Sequence, residues 1–148
     1  TGGGSDGHVV PLFRLAEIYL NYAEALNEYD PTNPDIAVYL NKIRERVSLP
    51  DVPSGLTQEQ MRTLIHHERR VELAFEEHRF WDVRRWKVAS STLGAPVKGV
   101  KITQDDAGNF TYSPVQVEQR VFQPKMYWYP IPQSETLKLH HWEQNKGW

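Results

Sequence analysis

Three carboxylates at successive four-residue steps come nearest to a catalytic arrangement in this sequence. Glu68, Glu72 and Glu76 share one face of a predicted helix, and a pair of neighbouring carboxyl groups is common equipment for general acid and base catalysis. The segment 68–86 around them is rich in arginine and contains no lysine. Because a neighbouring arginine holds a carboxylate ionised, whereas a general acid needs a raised pKa, the pattern favours structural ion pairs over catalysis.

The same segment, 68–86, combines charged and large aromatic side chains more densely than any other part of the chain. The planar guanidinium of arginine suits bidentate pairing with carboxylates and stacking on rings. We therefore predict partly buried ion pairs that join the helices to the chain that follows them. The residues with this predicted structural role are Glu68, Arg69, Glu72, Glu76, Arg79, Trp81, Asp82, Arg84, Arg85 and Trp86.

Other catalytic or metal-binding patterns are missing from the sequence. Cysteine is absent, which excludes thiol catalysis and cysteine-based zinc sites. Neither a Gly-x-Ser-x-Gly sequence nor a glycine-rich phosphate loop after a strand occurs. His78 and Asp82 are the one histidine and carboxylate pair at four-residue spacing, and a metal site needs three or four ligands. The sequence predicts no catalytic residue, no metal and no cofactor.

Aromatic side chains fall into two groups by their surroundings. Those at helical spacing are typical of packing residues, and they include Tyr19, Tyr22, Phe75 and Trp81. Those near irregular chain are weak candidates for a platform on which a sugar ring stacks. These candidates are Tyr112, Trp128 and Trp142.

Length and charge limit the classes of protein that remain. A chain of 148 residues is long enough for one ordinary domain with its own core. The net charge of -2 and the pI near 6.3 do not indicate a nucleic-acid-binding surface. No apolar run approaches the length of a membrane span. We predict a flexible linker over residues 1–10, which are rich in glycine, and one domain over residues 11–148.

Apolar residues recur at helical spacing through the first part of the chain. The first helix is predicted over residues 11–29, because Pro31 disfavours helical geometry in the residue before it. Asn33 is then a predicted N-cap, with Pro34 at the first helical position of a second helix. The buried face of this second helix is predicted to carry Ile36, Leu40, Ile43 and Val47.

A third helix is predicted over residues 57–77, with a capping box formed by Thr57 and Gln60. Glu68 and Glu72 fall on its apolar stripe, where a buried carboxylate needs a charged or hydrogen-bonding partner. A further short helix is predicted after His78. The apolar members of the predicted stripe are Met61, Leu64, Ile65, Val71 and Phe75.

Helical periodicity fades after residue 89, and a small β-hairpin is predicted instead. Residues 97–103 alternate roughly as a strand, 105–109 have turn composition, and 110–112 begin a return strand. The segment 127–132 is predicted to be extended, because its prolines push the residues before them out of helical geometry. A short helical turn is predicted to open at residues 133–135.

Five ordered blocks resemble the C-terminal part of the SusD/RagB family. They are RLAEIYLNYAEALNE at 14–28, LNKIRER at 40–46, ERRVELAFE with HRFWDVRRW within 68–86, PIPQSE at 130–135 and QNKGW at 144–148. The resemblance spans residues 11–148 and implies tetratricopeptide-like helix pairs. The expected fold is therefore mainly α, with a tetratricopeptide-like helical hairpin, further helices, a small β-hairpin and an irregular C-terminal region.

The resemblance also implies a function. Members of this family are outer-membrane lipoproteins on the surface of Gram-negative bacteria, and they are not enzymes. They bind glycans, starch-like or other, and sometimes peptides, and they lie as a lid on a SusC-like TonB-dependent transporter. The expected partners are thus that transporter, a glycan or peptide ligand, and the remaining N-terminal part of the same protein, with no nucleic acid.

Two departures from the family pattern lead to further expectations. Family members are much longer and begin with a lipoprotein signal and an acylated cysteine, so this chain is expected to be a fragment or an engineered truncation. Glu77 stands where the family often has glycine, which predicts a more helical turn after the third helix. The known sugar contacts of the family come largely from its N-terminal and middle portions, so none is transferred to this sequence.

Two alternatives stay open at the level of sequence. One is a tetratricopeptide-like scaffold that binds protein partners through its helix groove. The other, less favoured, is a glycan-cleaving enzyme that uses Glu68 or Glu72.

Overall fold

Three helices form the first part of the chain, as the apolar periodicity predicts. They are α1 (Leu15–Tyr29), α2 (Asp35–Glu45) and α3 (Gln58–Glu72). The computed structural model describes residues 12–138 and 141–148, so the predicted linker and the predicted start of α1 at residue 11 lie outside the described residues. The chain divides into two units, the first ending at Arg79 and the second beginning at Phe80. A single domain over residues 11–148 stays a prediction.

Helices α1 and α2 form an antiparallel hairpin. The Tyr22 hydroxyl donates to the Asp35 carboxylate at 3.2 Å, and the ring of Tyr19, one turn earlier in α1, lies 5.2 Å from the ring of Tyr39, one turn later in α2. The side chain of Asn33 accepts a hydrogen bond from the Asp35 backbone at 3.1 Å. The Asn33 side chain thus binds the first residue of α2, but the helix begins one position later than predicted and Pro34, not Asn33, stands at its N-cap.

Helix α3 begins as predicted and ends earlier than predicted. Thr57 and Gln60 form the reciprocal hydrogen bonds of a capping box. At the other end, Arg14 donates to the carbonyl oxygen of Glu72, which a longer helix would use to accept from the Glu76 backbone. The chain then turns, with Glu77 at φ 65°. The predicted extension to residue 77 and the predicted helical character of this turn are both wrong.

The core of the first unit lies between these three helices. It contains Leu20, Ala23, Ile36, Leu40, Ile43, Ile65 and Leu73. Three residues from the predicted buried faces of the second and third helices are exposed instead, because the helices end before or turn away from them: Val47, Val71 and Phe75. On the first helix, where a mostly buried apolar stripe was predicted, Phe13, Leu15 and Ile18 are exposed as well. Tyr22 and Trp81, predicted to pack, are 41% and 58% exposed, although each contacts a neighbouring ring.

The second unit contains the short elements of the chain. They are α4 (His78–Arg85), which spans the division between the units, α5 (Ala89–Thr92), β1 (Val97–Gln104), β2 (Phe110–Glu118), a 3₁₀ turn (Pro124–Tyr127) and α6 (Gln133–Lys138). Strands β1 and β2 pair antiparallel, with Ile102 opposite Tyr112. The predicted hairpin is confirmed, and its second strand is longer than predicted.

The turn between β1 and β2 is specified locally. The Asp105 carboxylate accepts from the backbone N–H groups of Ala107 and Asn109 at 3.0 and 2.8 Å, and Gly108 has φ 86°, which glycine adopts without a side-chain penalty. The mainly α fold with one small β-hairpin is thus confirmed. None of the described helices combines the length and the apolar composition that a membrane crossing requires.

Candidate functional site

The three carboxylates of α3 and its following turn are paired with arginines from elsewhere in the first unit. Glu68 pairs with Arg44 of α2. Glu72 accepts from Arg14 at 2.6 Å and from Arg46 at 2.8 Å. The three partners are Arg14, Arg44 and Arg46, none of which was predicted for this role. These pairs join α3 to α2 and to the residue before α1.

Arginine side chains bind all three carboxylates directly. The side chains of Glu68 and Glu72 are 11% exposed, and both are bound by guanidinium groups. Arg14 donates to both carboxylate oxygens of Glu76 at 2.8 and 2.7 Å, and this hydrogen bonding lowers the pKa of Glu76. The same contacts raise the pKa of the Arg14 guanidinium. The arrangement suits an interhelical tie and is unsuited to a general acid.

Other residues of the arginine-rich segment also have specific contacts. Arg69 is buried and donates to the Asn21 side chain at 2.6 Å. Asp82 is also buried and accepts from Arg85 at 2.9 Å. The guanidinium of Arg84 lies 3.5 Å from the ring centroid of Phe80. These contacts suit the structural role predicted for the segment, whereas its predicted tie to the chain that follows stays a prediction.

The larger described cavity lies in the second unit, beside the indole of Trp128. Its volume is about 630 Å³, which is within the usual range for a small-molecule site. All six described residues around it come from the 3₁₀ turn and its immediate neighbours or from the final residues of the chain. The lining residues are Gln123, Pro124, Lys125, Trp128, Lys146 and Gly147.

The block QNKGW at 144–148 forms one wall of this cavity. The Gln144 carboxamide accepts from the Ile131 backbone N–H at 2.7 Å and donates to the Ile131 carbonyl oxygen at 2.8 Å. Asn145 donates to the Tyr129 carbonyl oxygen at 2.6 Å. The Trp148 indole N–H lies 3.1 Å from the carbonyl oxygen of Lys125. These side-chain bonds to the backbone hold the last residues against the segment 125–131.

Gly147 is required where it stands in this wall. Its φ of 93° is in the region that side-chain-bearing residues rarely adopt. A Cβ atom there would also lie 3.2 Å from the Cβ atom of Lys125. The close approach brings the Lys125 stem against the final residues, and its ammonium group lies 4.5 Å from the ring centroid of Trp148.

The cavity is positively charged and aromatic. Lys125 and Lys146 line it, and within the described residues neither forms an ion pair with a carboxylate. The ammonium group of Lys87 lies 4.8 Å from the ring centroid of Trp128. Trp128 is 63% exposed, so much of its indole is accessible to a ligand.

The three aromatic residues proposed from the sequence do not come together. Trp128 lines the cavity, whereas Tyr112 lies on β2 opposite Ile102, and Trp142 is exposed near the end of the chain without lining the cavity. Sequence reasoning missed Lys125 and Lys146. The proximity of each lysine to a tryptophan, in PKMYW and NKGW, was a weak local indication of such a site.

A second cavity, of about 450 Å³, lies in the first unit. Two of its charged side chains, Arg14 and Glu76, are bound to each other, which leaves these two less available to a ligand. Its lining residues are Leu12, Phe13, Arg14, Phe75, Glu76, Glu77 and His78. Within residues 12–138 and 141–148, no three histidine, aspartate or glutamate side chains are grouped in a way that could hold a metal ion.

Known proteins with similar sequences and structures form one group. A model described as the SusD family matches residues 1–148. The SusD-like protein P2 of Formosa agariphila is 36% identical over 100 residues, which are 63% of this chain and 20% of that protein. A SusD-like protein of Bacteroides fragilis NCTC 9343 has a crystal structure that matches with a TM-score of 0.76 at 38% identity, over 90% of this chain and 25% of that one.

A more distant structure shares the fold. The SusD-like carbohydrate binding protein of Bacteroides vulgatus ATCC 8482 matches with a TM-score of 0.57 at 24% identity, over 86% of this chain and 28% of that one. The chain thus spans 20% of the curated relative and 25% of the B. fragilis protein.

Proposed function

The chain belongs to the SusD family, and from this membership we propose that it is part of a cell-surface protein that captures glycans. The whole protein would deliver them to a SusC-like TonB-dependent transporter in the outer membrane. It would be held at the extracellular face by a lipid on an N-terminal cysteine that is not among these residues. A peptide is the second ligand class that family membership suggests.

The cavity beside Trp128 is the observation that carries a binding role for this part of the protein. Sugar rings have apolar C–H faces that pack on an exposed indole, while their hydroxyl groups need polar partners at the edge. Trp128 offers such a face, and Lys125, Lys146 and Gln123 offer hydrogen-bond donors around it. The geometry therefore supports binding of a saccharide that lies against the indole.

The state of the carboxylates supports binding without catalysis. Glu68, Glu72 and Glu76 are each bound to arginine, and a glycosidase needs one carboxyl group that is protonated before the reaction. The lowered pKa of Glu76, caused chiefly by its hydrogen bonds to Arg14, opposes that state. Hydrolysis of a glycan that is lost in Glu72→Gln, with the fold retained, would contradict this part of the proposal.

The rest of the same polypeptide is the proposed neighbour of the first unit. A single tetratricopeptide-like helix pair normally needs neighbours to cover its apolar faces. Leu12, Phe13 and Phe75 are largely exposed in the described chain. We expect the longer protein to cover them.

Isothermal titration of the intact protein against panels of oligosaccharides and peptides tests the proposed function. We expect saturable binding to at least one oligosaccharide and co-purification with an outer-membrane transporter. Trp128→Ala should weaken glycan binding at least ten-fold, about the value of one lost base–aromatic stack in other systems, whereas Trp142→Ala, outside the cavity, should not. Absence of binding to both panels, together with no transporter, would reject the proposal.

The alternative function is a tetratricopeptide-like scaffold for protein partners. The exposed apolar side chains at the start of the first unit, including Phe13 and Leu15, favour it. A pull-down that recovers soluble protein partners, from a protein found in the cytoplasm, would support this alternative against glycan capture.

A further inference from the structure

We propose that the cavity beside Trp128 is a subsite for an anionic sugar, one that carries a carboxylate or a sulfate group. This inference rests on the proposed glycan-binding function and narrows its ligand class. It concerns the six lining residues and the neighbouring rings, all of which belong to the second unit.

The described lining side chains offer more hydrogen-bond donors than acceptors. Lys125 and Lys146 each present an ammonium group with three donors and no acceptor. Among the described lining residues there is no aspartate or glutamate. The hydroxyl groups of a neutral sugar both donate and accept, so a site for them usually includes carboxylate or carbonyl side chains. Of the lining side chains that the structure describes, Gln123 alone can accept a hydrogen bond, so the cavity is better matched to a ligand rich in acceptors.

Within the described residues, no carboxylate neutralises the positive charge of the two lysines that line the cavity. Lys125 and Lys146 form no ion pair within the described residues, whereas Lys138 of α6 is paired with Glu135 at 2.8 Å. Lys87 does not line the cavity, but it places a further cation beside the same indole: its ammonium group lies 4.6 Å from the ring centroid of Tyr127 and 4.8 Å from that of Trp128. Like charges gathered around one cavity repel each other, and a bound anion relieves that repulsion.

The side chain of Lys125 is held in place by Gly147 and Trp148. Its stem passes close to Gly147, where an added Cβ atom would lie 3.2 Å from the Lys125 Cβ and would crowd it. Its ammonium group lies over the Trp148 ring, and the Trp148 indole N–H donates to the Lys125 and Trp128 carbonyl oxygens at 3.1 and 3.2 Å. A lysine held by its own stem loses less side-chain entropy when it binds an anion.

Paired probes that differ in charge alone test this inference on the intact protein. Tetragalacturonate and its fully methyl-esterified form are one pair, and a sulfated carrageenan tetrasaccharide and its desulfated form are the other. In at least one pair, we expect the charged member to bind at least about five-fold more tightly than its neutral partner. This factor corresponds to an exposed ion pair of about 1 kcal/mol. The preference should shrink between about 20 and about 200 mM salt, because screening weakens exposed charges. A preference in the galacturonate pair would indicate a carboxylate ligand, and a preference in the carrageenan pair would indicate a sulfate ligand.

Charge-removing variants place the effect in the cavity. Lys146→Gln keeps the length of the side chain, and we expect it to reduce binding of the preferred charged probe about five-fold with little change for its neutral partner. Lys101→Gln removes the same charge from the exposed strand β1, outside the cavity, and should leave both affinities unchanged. An equal loss in both variants would show a general charge effect and would overturn the assignment to this cavity.

Different results would contradict the anionic subsite and the proposed capture of glycans. Neutral and charged members that bind equally well would overturn the anionic subsite and leave glycan capture standing. Binding of neutral oligosaccharides alone would have the same meaning. No binding to any saccharide, charged or neutral, would overturn both. A charge preference that persists unchanged in Lys146→Gln and Lys125→Gln, with the melting temperature retained, would place the anionic site elsewhere in the protein.

Discussion

In the first unit, seven buried apolar side chains from the helices and the turn after α3 form one cluster, whereas in the second unit most described side chains keep substantial exposure. The buried residues described there are Asp82, Val83 and Ala89. Burial of apolar area is the main source of stability in small domains. The first unit therefore resembles an ordinary helical core, and the second depends more on individual contacts.

The contacts of the second unit are of a different chemical kind. Arginine and lysine lie over rings, as Arg84 does over Phe80, and Gln144 and Asn145 bond to backbone groups. Each such contact contributes about 0.5 to 1.5 kcal/mol, so many are needed to equal one core. This construction leaves aromatic and charged groups at the surface, where a ligand can meet them. The difference suggests that the first unit supplies rigidity and the second supplies recognition.

The largest effect should come from the buried ion pair of the first unit. Arg44→Ala leaves Glu68, whose side chain is 11% exposed, without that partner, and we expect a loss of about 3 to 5 kcal/mol in the free energy of unfolding. Arg120→Ala is the matched change in the second unit, where Arg120 and Glu118 are 50% and 59% exposed. It should cost less than about 1 kcal/mol. Melting temperatures of the two variants decide the point, and equal shifts would remove the contrast between the units.

Truncation of an apolar side chain should also lower the free energy of unfolding more in the first unit than in the second. Leu40→Ala opens a cavity in the core of the first unit, where Leu40 has no exposed area, and should cost about 2 to 5 kcal/mol. Ile102→Ala removes a similar side chain from β1, which is 57% exposed, and should change stability by less than about 1 kcal/mol. Denaturant unfolding measures both. A large loss in Ile102→Ala would mean that the hairpin is covered in the intact protein.

Asp82 is a buried charged residue in the second unit, where most described side chains are exposed. Its carboxylate is buried and accepts from Arg85 at 2.9 Å, so Asp82→Ala should destabilise the protein by about 1 to 3 kcal/mol. Arg84→Ala loses a ring contact and a hydrogen bond to the Phe80 carbonyl oxygen and should cost about 1 kcal/mol. Unchanged melting temperatures in both variants would show that the arginine-rich segment is less structural than proposed.

A substitution in the turn after α3 should increase the stability of the protein. Glu77 is exposed and has φ 65°, a conformation that costs a residue with a side chain about 1 kcal/mol relative to glycine. Glu77→Gly should therefore raise the melting temperature, and Glu77→Ala, which keeps a Cβ atom, should not. A gain in both variants would assign the effect to the lost charge rather than to backbone strain.

Acid titration should give the smallest effects, one in each unit. Arg14 lowers the pKa of Glu76 below its ordinary value of 4.5, and Asn109 lowers that of Asp105 below 3.8. A lowered pKa in the folded state stabilises the protein above the ordinary value, and this contribution is lost as the pH falls through the folded-state pKa. Glu76→Gln should thus reduce the loss of melting temperature below about pH 4.5, and Asp105→Asn should reduce it below about pH 3.8. Curves identical to the parent protein would refute the assigned cause.

Local chemistry made much of the fold predictable. The capping box of Thr57 and Gln60 involves residues three positions apart, and the hairpin turn depends on Asp105 and the residues just after it. The apolar period likewise placed Leu40 and Ile65 in the core. Such interactions form between neighbours in the chain, so their signature is written in a short window of sequence.

Of the three aromatic residues proposed from the sequence, Trp128 is the one that the structure places at the cavity, and apart from a neighbouring tryptophan nothing in the sequence indicated that Lys125 and Lys146 would line it together. The end of α3 was likewise hidden, because the Glu72 carbonyl oxygen is bound by Arg14, 58 positions earlier in the chain. Composition did determine that the carboxylates of α3 would need cationic partners. Tertiary structure decided which arginines those are, because contacts between distant residues depend on how the helices and the final residues pack and leave no local pattern in the sequence.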